Sequence, residues 1–150
     1  MRKIQWPKEG LVFEVPGAVR GKGRPRFTRF GNTYTDSKTV AYENFIKTCY
    51  LKHTRYISDR SIRISIYVCF APNKSDTKKN KVLKLSNLLW PKKKPDIDNI
   101  IKVVLDSLND VAYNDDTQVN ELHIMRHYSD EEKLVICISE NGDLFGANKC

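Results

Sequence analysis

Ile62, Ile64, Ile66, Val68 and Phe70 alternate with Arg63, Ser65, Tyr67 and Cys69. A period of two sends one set to each face of a strand, so Ser61 to Phe70 is the clearest strand in the chain. Leu11 to Val15, closed by Pro16-Gly17, reads as a short first strand. Gln118 to Tyr128 and Lys133 to Ser139 read as two more, joined through Ser129-Asp130-Glu131-Glu132 as a hairpin. Elsewhere the period changes to that of a helix. One helix is predicted from Asp36 or Ser37 to near Arg55, with Tyr42, Phe45, Ile46, Cys49 and Tyr50 as its buried stripe. A short one is predicted over Asp76 to Leu88, where Val82, Leu85, Leu88 and Leu89 recur at helical spacing until Trp90-Pro91 ends it. The third carries Ile97, Ile100, Ile101, Val104, Leu105 and Leu108 on one stripe. Pro95 disfavours helix before it, so this helix starts at Asp96 or Ile97. Strands and helices interleave unevenly, which predicts an α+β domain: one mixed β-sheet of about four or five strands with helices packed on it. Residues 140–150 form a polar tail, and no internal repeat or compositional break divides the chain.

The chain has 150 residues, 40% of them hydrophobic and 29% charged, within the range of a single soluble globular domain. No stretch approaches the ~18 apolar residues of a membrane helix, and Met1-Arg-Lys-Ile-Gln-Trp-Pro lacks the apolar run of a signal peptide, so a cytoplasmic protein is expected. Cys49, Cys69, Cys137 and Cys150 include no Cys-x-x-Cys pair, which favours reduced, mostly buried thiols over zinc or redox work. His123 and His127 fall on a predicted strand, where four residues span about 13 Å, too far to share one ion.

Charge is more informative than composition. The net charge is +8, but residues 18–30 hold Arg20, Lys22, Arg24, Arg26 and Arg29 with no acid, and residues 72–95 hold eight lysines against Asp76 alone. Two such patches suit a phosphate backbone through counterion release, although a solvated charge run would read the same way in the lysine-rich segment. Gly21-Lys22-Gly23 is neither a dinucleotide fingerprint nor a P-loop, since the remaining glycine and the Gly-Lys-Ser/Thr are missing. Phe27 and Phe30 add apolar anchors among the arginines.

Between the patches the acids gather. Asp96 and Asp98 stand at the start of the third helix, and Asp115 and Asp116 follow it after the turn residues Asn109-Asp110. A reversal after roughly ten helical residues can bring the chain back towards the point of entry, so the pairs are expected to converge. Convergent hard oxygens suit Mg²⁺ or Mn²⁺. The rival explanation is plain capping, which alone favours Asp at a helix N-terminus and accounts for Asp96 better than for all four acids. Lys102, one turn beyond Asp98 with Asp106 a turn further, is either one step of a solvated ion-pair ladder, worth about 0.2–0.5 kcal/mol per pair, or a cation for a phosphate or an attacking water.

The run Lys-Pro-Asp-Ile-Asp-Asn-Ile-Ile-Lys, followed by Val-Leu-Asp-Ser-Leu and Asp-Asp-Thr-Gln-Val, resembles the RusA family of Holliday junction resolvases, which phages often carry. Gly-Lys-Gly-Arg-Pro-Arg-Phe-Thr and the later Thr-Tyr-Thr resemble the family's N-terminal part, so the likeness runs from about Val15 to Val119. The stretch Asn73 to Lys94 has no residue-by-residue match in the shorter resolvases. The resemblance implies a homodimeric, Mg²⁺-dependent endonuclease, with Mn²⁺ as a substitute, that resolves four-way junctions by paired symmetric nicks during recombination and repair. By motif position, metal and catalytic roles fall on Asp96, Asp98 and Asp116, with Asp115 as a further candidate ligand, and the functional lysine falls on Lys102. Branched double-stranded DNA would lie on Arg20, Lys22, Arg24, Arg26 and Arg29 and on Lys92, Lys93 and Lys94. Two rivals stand beside this reading: a nuclease of the same fold cutting flaps, forks or plain duplex, and a DNA-binding accessory protein whose acids are caps and surface charges.

Overall fold

A computed structural model describes residues 5–142. In chain order its elements are β1 (Leu11–Pro16), β2 (Arg26–Phe27), β3 (Thr33–Tyr34), α1 (Ser37–Leu51), β4 (Ile62–Phe70), α2 (Lys78–Leu85), α3 (Ile97–Leu108), a 3-10 turn (Asp116–Gln118), β5 (Val119–Tyr128) and β6 (Lys133–Glu140). The polar tail and Cys150 lie almost wholly outside the described residues. Cys49 and Cys69 are buried free thiols, and Cys137 is half-buried. Among the described residues no helix is long and apolar enough to cross a membrane.

β4 is the keel of a mixed four-stranded sheet in the order β1-β6-β4-β5. Ile62, Ile64, Ile66, Val68 and Phe70 are all fully buried, as the alternation predicts. β5 runs parallel to β4, whereas β6 runs antiparallel both to β4 and to β1. The expected β5–β6 hairpin is therefore absent: β4 lies between them. Ser129 N–H donates to Phe70 O at 2.8 Å, so the short connection after β5 passes over the end of β4. A four-residue link spans the roughly 10 Å between next-nearest strands, and chain proximity alone gave a false partner. A small second sheet, β2 with β3, stands in the arginine-rich stretch, where the sequence pattern predicts no strand.

α1 and α3 cover the sheet. On α1, Thr39, Tyr42, Ile46, Cys49 and Tyr50 are buried, but Phe45 is exposed, so the stripe is narrower than expected and the helix stops at Leu51 rather than near Arg55. On α3 the buried set is Ile100, Val103, Val104, Ser107 and Leu108, with Ile97 exposed. The sequence pattern had the helix in place but its inward face centred to one side, because Ser107 looks polar. Its hydroxyl donates to Val103 O within the helix, which lets it sit in the core. α2 is shorter than expected and buries no side chain. It is held by Lys84, whose ammonium lies 2.5 Å from Asp76 Oδ2 and over the Tyr128 ring.

One buried network joins the sheet to the approach of the acidic segment. Glu140 on β6 accepts from Tyr56 Oη at 2.5 Å and from Ser58 Oγ at 2.7 Å. Ser58 is fully buried, and its N–H donates to Ala112 O. Burial opposes ionisation of Glu140, but these two donors, together with Gln5 and Arg60, outweigh it and hold its carboxyl below the ordinary glutamate value of 4.5. A depressed carboxyl gives stability above the unfolded value and loses it as pH falls through the folded one. Unfolding free energy from urea titrations should therefore decline below pH about 4.5, and the decline should be shallower in Glu140→Gln.

Candidate active site

Asp96 occupies the N-cap position of α3, but its side chain caps nothing. Its Oδ1 instead accepts from Asn99 Nδ2 at 2.5 Å, and Oδ2 lies 3.5 Å from Lys94 Nζ. Burial works against the charge, yet the Asn99 amide and Lys94 prevail and keep the Asp96 carboxyl below the usual aspartate range. Capping therefore does not explain this residue. Asp98 stands one position into the helix with 68% of its side chain exposed, and Lys102 Nζ lies 3.9 Å from its Oδ2. The expected ladder ends there. Asp106 is bound at 2.9 Å by Lys22, which also reaches Glu43 at 2.7 Å, and this leaves Lys102 with Asp98 alone among the described residues.

Two contacts that sequence reasoning missed hold this end of α3. Arg126, from β5, donates to Lys93 O at 2.7 Å, Pro95 O at 3.0 Å and Pro91 O at 3.1 Å. The planar guanidinium fork suits such convergent acceptors, and its only sequence signal was a cation within an alternating strand. On the other side the arginine-rich loop docks through its backbone: Lys22 N–H donates to Asn99 O at 2.9 Å, and Gly21 presses against Pro95 and Asn99. A Cβ at Gly21 would lie 2.8 Å from Pro95 Cβ and 2.9 Å from Asn99 Cβ. Gly21→Ala should thus push loop and helix apart and cost about 1–3 kcal/mol in a urea unfolding experiment.

The second acid pair is anchored at the opposite end. Asp116 N–H donates to Asn109 Oδ1 at 2.9 Å, just past the last turn of α3. Gln118 fixes the turn: its Oε1 accepts from Asn114 and Asp115 N–H, and its Nε2 donates to Ser58 O and Arg60 O. Asp115 Oδ2 accepts from Thr117 Oγ1 at 2.6 Å, while among the described residues no hydrogen bond or ion pair reaches the Asp116 carboxylate. Below them Tyr113 is buried and donates to Leu105 O at 2.6 Å. Burial first, then Asp116, Asp106 and Asp115, push its hydroxyl far above the ordinary tyrosine value.

The two pairs do not meet within one chain. Residues 98 and 109 lie about 16 Å apart along the helix axis, and among the described residues no three His, Cys, Asp or Glu side chains are grouped to hold a metal ion. The expected reversal fails because Ala112 N–H bonds to Leu108 O and Tyr113 to Leu105 O. The link packs on the C-terminal end of α3 and feeds β5 directly.

The cations divide into two kinds. Arg20, Arg24, Arg26, Arg29, Lys92, Lys93 and Lys94 are exposed. Lys22 is only 24% exposed and neutralised by Glu43 and Asp106; burial disfavours its charge, but the two carboxylates prevail and raise its affinity for the proton. It acts as a staple between α1, α3 and the loop. Lys93 also lies over the Phe70 ring, 4.9 Å from its centre.

Comparison with known proteins adds two findings. A family described as "Endodeoxyribonuclease RusA" matches residues 16–139, which contain both acid pairs and the arginine-rich loop. "Uncharacterized protein YqaN" of Bacillus subtilis (strain 168) is 31% identical over 136 residues, covering 87% of this chain and 96% of that protein.

Proposed function

The chain belongs to the RusA family of endodeoxyribonucleases, and on that footing we propose that it is a divalent-metal-dependent nuclease that resolves four-way DNA junctions in the cytoplasm. The observation that carries the proposal is Asp96: a carboxylate at a helix N-cap that makes no cap and is kept ionised beside a second exposed acid, Asp98, with a cation one turn on. Helix capping does not account for such a trio, and it is suited to phosphodiester chemistry.

The donor set fits Mg²⁺, or Mn²⁺ in its place. Asp96 and Asp98 offer hard oxygens, and Mg²⁺ commonly binds one or two carboxylates while water and substrate phosphate fill its other positions. An ion held there supplies charge neutralisation at the phosphate and acidifies an attacking water. The remaining work falls to the chain. Asn99 orients Asp96 through its amide, and Arg126 fixes the backbone that delivers both acids. Lys102, 62% exposed, balances Asp98 and is free to swing to a non-bridging phosphate oxygen. Arg20, Arg24, Arg26 and Arg29 and Lys92 to Lys94 flank α3 and neutralise the arms of the DNA.

Asp116 enters through symmetry. One chain carries its acid pairs at opposite ends of α3, so a site with all three acids takes two chains, the Asp116 carboxylate of one joining Asp96 and Asp98 of the other. A two-fold homodimer then has two such sites, which suits a substrate needing two symmetric nicks. The test is a labelled synthetic four-way junction incubated with the protein in Mg²⁺, in Mn²⁺ and without metal, beside a linear duplex of equal length. Paired nicks in the junction, dependent on metal and absent from the duplex, are expected. Equal cutting of both substrates refutes junction selectivity, and no cutting with either metal refutes the enzyme.

A further inference from the structure

The β2–β3 hairpin exposes aromatic side chains that no packing among the described residues accounts for. Phe27 is 73% exposed and Phe30 89%, and Tyr34 on the facing strand is also exposed. Phe30 sits at the outermost point. Thr28 N–H donates to Asn32 O at 2.6 Å and Gly31 N–H to Thr28 O at 3.0 Å, enclosing a three-residue tip of Arg29, Phe30 and Gly31. Gly31 takes the left-handed conformation, φ +82°, that closes a tip of this kind. A third bond, Asn32 N–H to Thr28 Oγ1 at 3.0 Å, stiffens it. The hairpin also has a fixed root, because Gly21 abuts Pro95 and Asn99 and Gly23 N–H bonds to Thr39 Oγ1. The projecting tip is thus tied by a few residues to the helix end that carries Asp96 and Asp98.

We propose that this hairpin is a wedge that stacks Phe30, backed by Phe27, on base faces exposed at the branch point of the DNA. The inference rests on the junction-cutting reading and adds the element that senses branching. The chemistry of the tip selects the occupant. Arg26-Phe27-Thr28-Arg29-Phe30 alternates guanidinium with aromatic ring, and residues 18–35 contain no acid. Guanidinium groups answer phosphates, whereas an aromatic face answers a nucleobase face. In continuous duplex those faces are hidden in the stack. At the open centre of a junction the terminal base pairs of four arms lose a neighbour, and inserting a ring there costs little unstacking. The tip therefore reads branching rather than sequence.

The experiment uses the full chain and a four-way junction with 2-aminopurine beside the crossover, in EDTA so that binding is observed without cutting. The wild type should raise the fluorescence as the probe base unstacks. Phe30→Ala should abolish that rise and weaken junction binding about tenfold while leaving affinity for linear duplex unchanged. Phe30→Trp should restore both signals, and Arg29→Gln should weaken junction and duplex together. A full fluorescence rise with Phe30→Ala, or equal losses on junction and duplex, overturns the wedge. So does Phe30-dependent binding to anionic lipid vesicles without the junction effect. Cleavage is scored separately in Mg²⁺: a wild type that unstacks the probe but never nicks would sink the nuclease reading and leave the wedge standing.

Discussion

An Asp98→Asn protein binds a four-way junction at least as tightly as the wild type and nicks it roughly a hundred- to a thousandfold more slowly. Both halves of this expectation come from the surroundings of the residue. Its side chain is largely exposed and, among the described residues, paired only with Lys102, so the substitution creates no cavity and strands no buried group. Removing one negative charge from a surface that must face phosphates also lowers repulsion, which is why binding should hold or improve. Only the loss of a hard anionic ligand remains to act on the rate. Electrophoretic mobility shifts in EDTA give the binding half, and single-turnover cleavage in Mg²⁺ gives the rate. A folded variant that cuts at the wild-type rate would remove Asp98 from the chemistry.

Mixing two dead proteins should recover activity. Asp98→Asn and Asp116→Asn are each expected to be inactive, but in a mixed dimer one site contains two intact contributions and the other contains neither. If subunits redistribute at random, half of the dimers are mixed and each has one working site, so about one quarter of wild-type sites return. The products should be single nicks, not paired cuts, because the second strand meets a defective site. If all three acids served a site within one chain, mixing would restore nothing. The separation of the acid pairs along α3 is what makes the trans arrangement the expected one.

Much of the architecture could be read before any coordinates because it is written in local periodicity. β4 shows its alternation without interruption, and α3 starts where Pro95 and Asp96 require. Failures occurred where partners are distant in sequence. Nothing in Ser129 to Glu132 says that a third strand separates β5 from β6, since strand pairing depends on which neighbours β4 attracts. The inward face of α3 was misjudged by a serine that satisfies its own hydroxyl. The acidic residues were easy to single out, but their spacing said nothing of where the chain after the helix would pack. Tyr113 and Gln118 decide that, each through bonds to backbone atoms that leave no trace in composition. Arg126 was passed over for the same reason.

That arginine sets a boundary on variation. Three carbonyls from Pro91 to Pro95 answer to one guanidinium on β5, so the backbone leading into Asp96 is tied to the sheet as well as to the arginine-rich loop. Upstream, α2 contributes no side chain to the core. Changes in the length or charge of that segment should accordingly leave Asp96 and Asp98 in register.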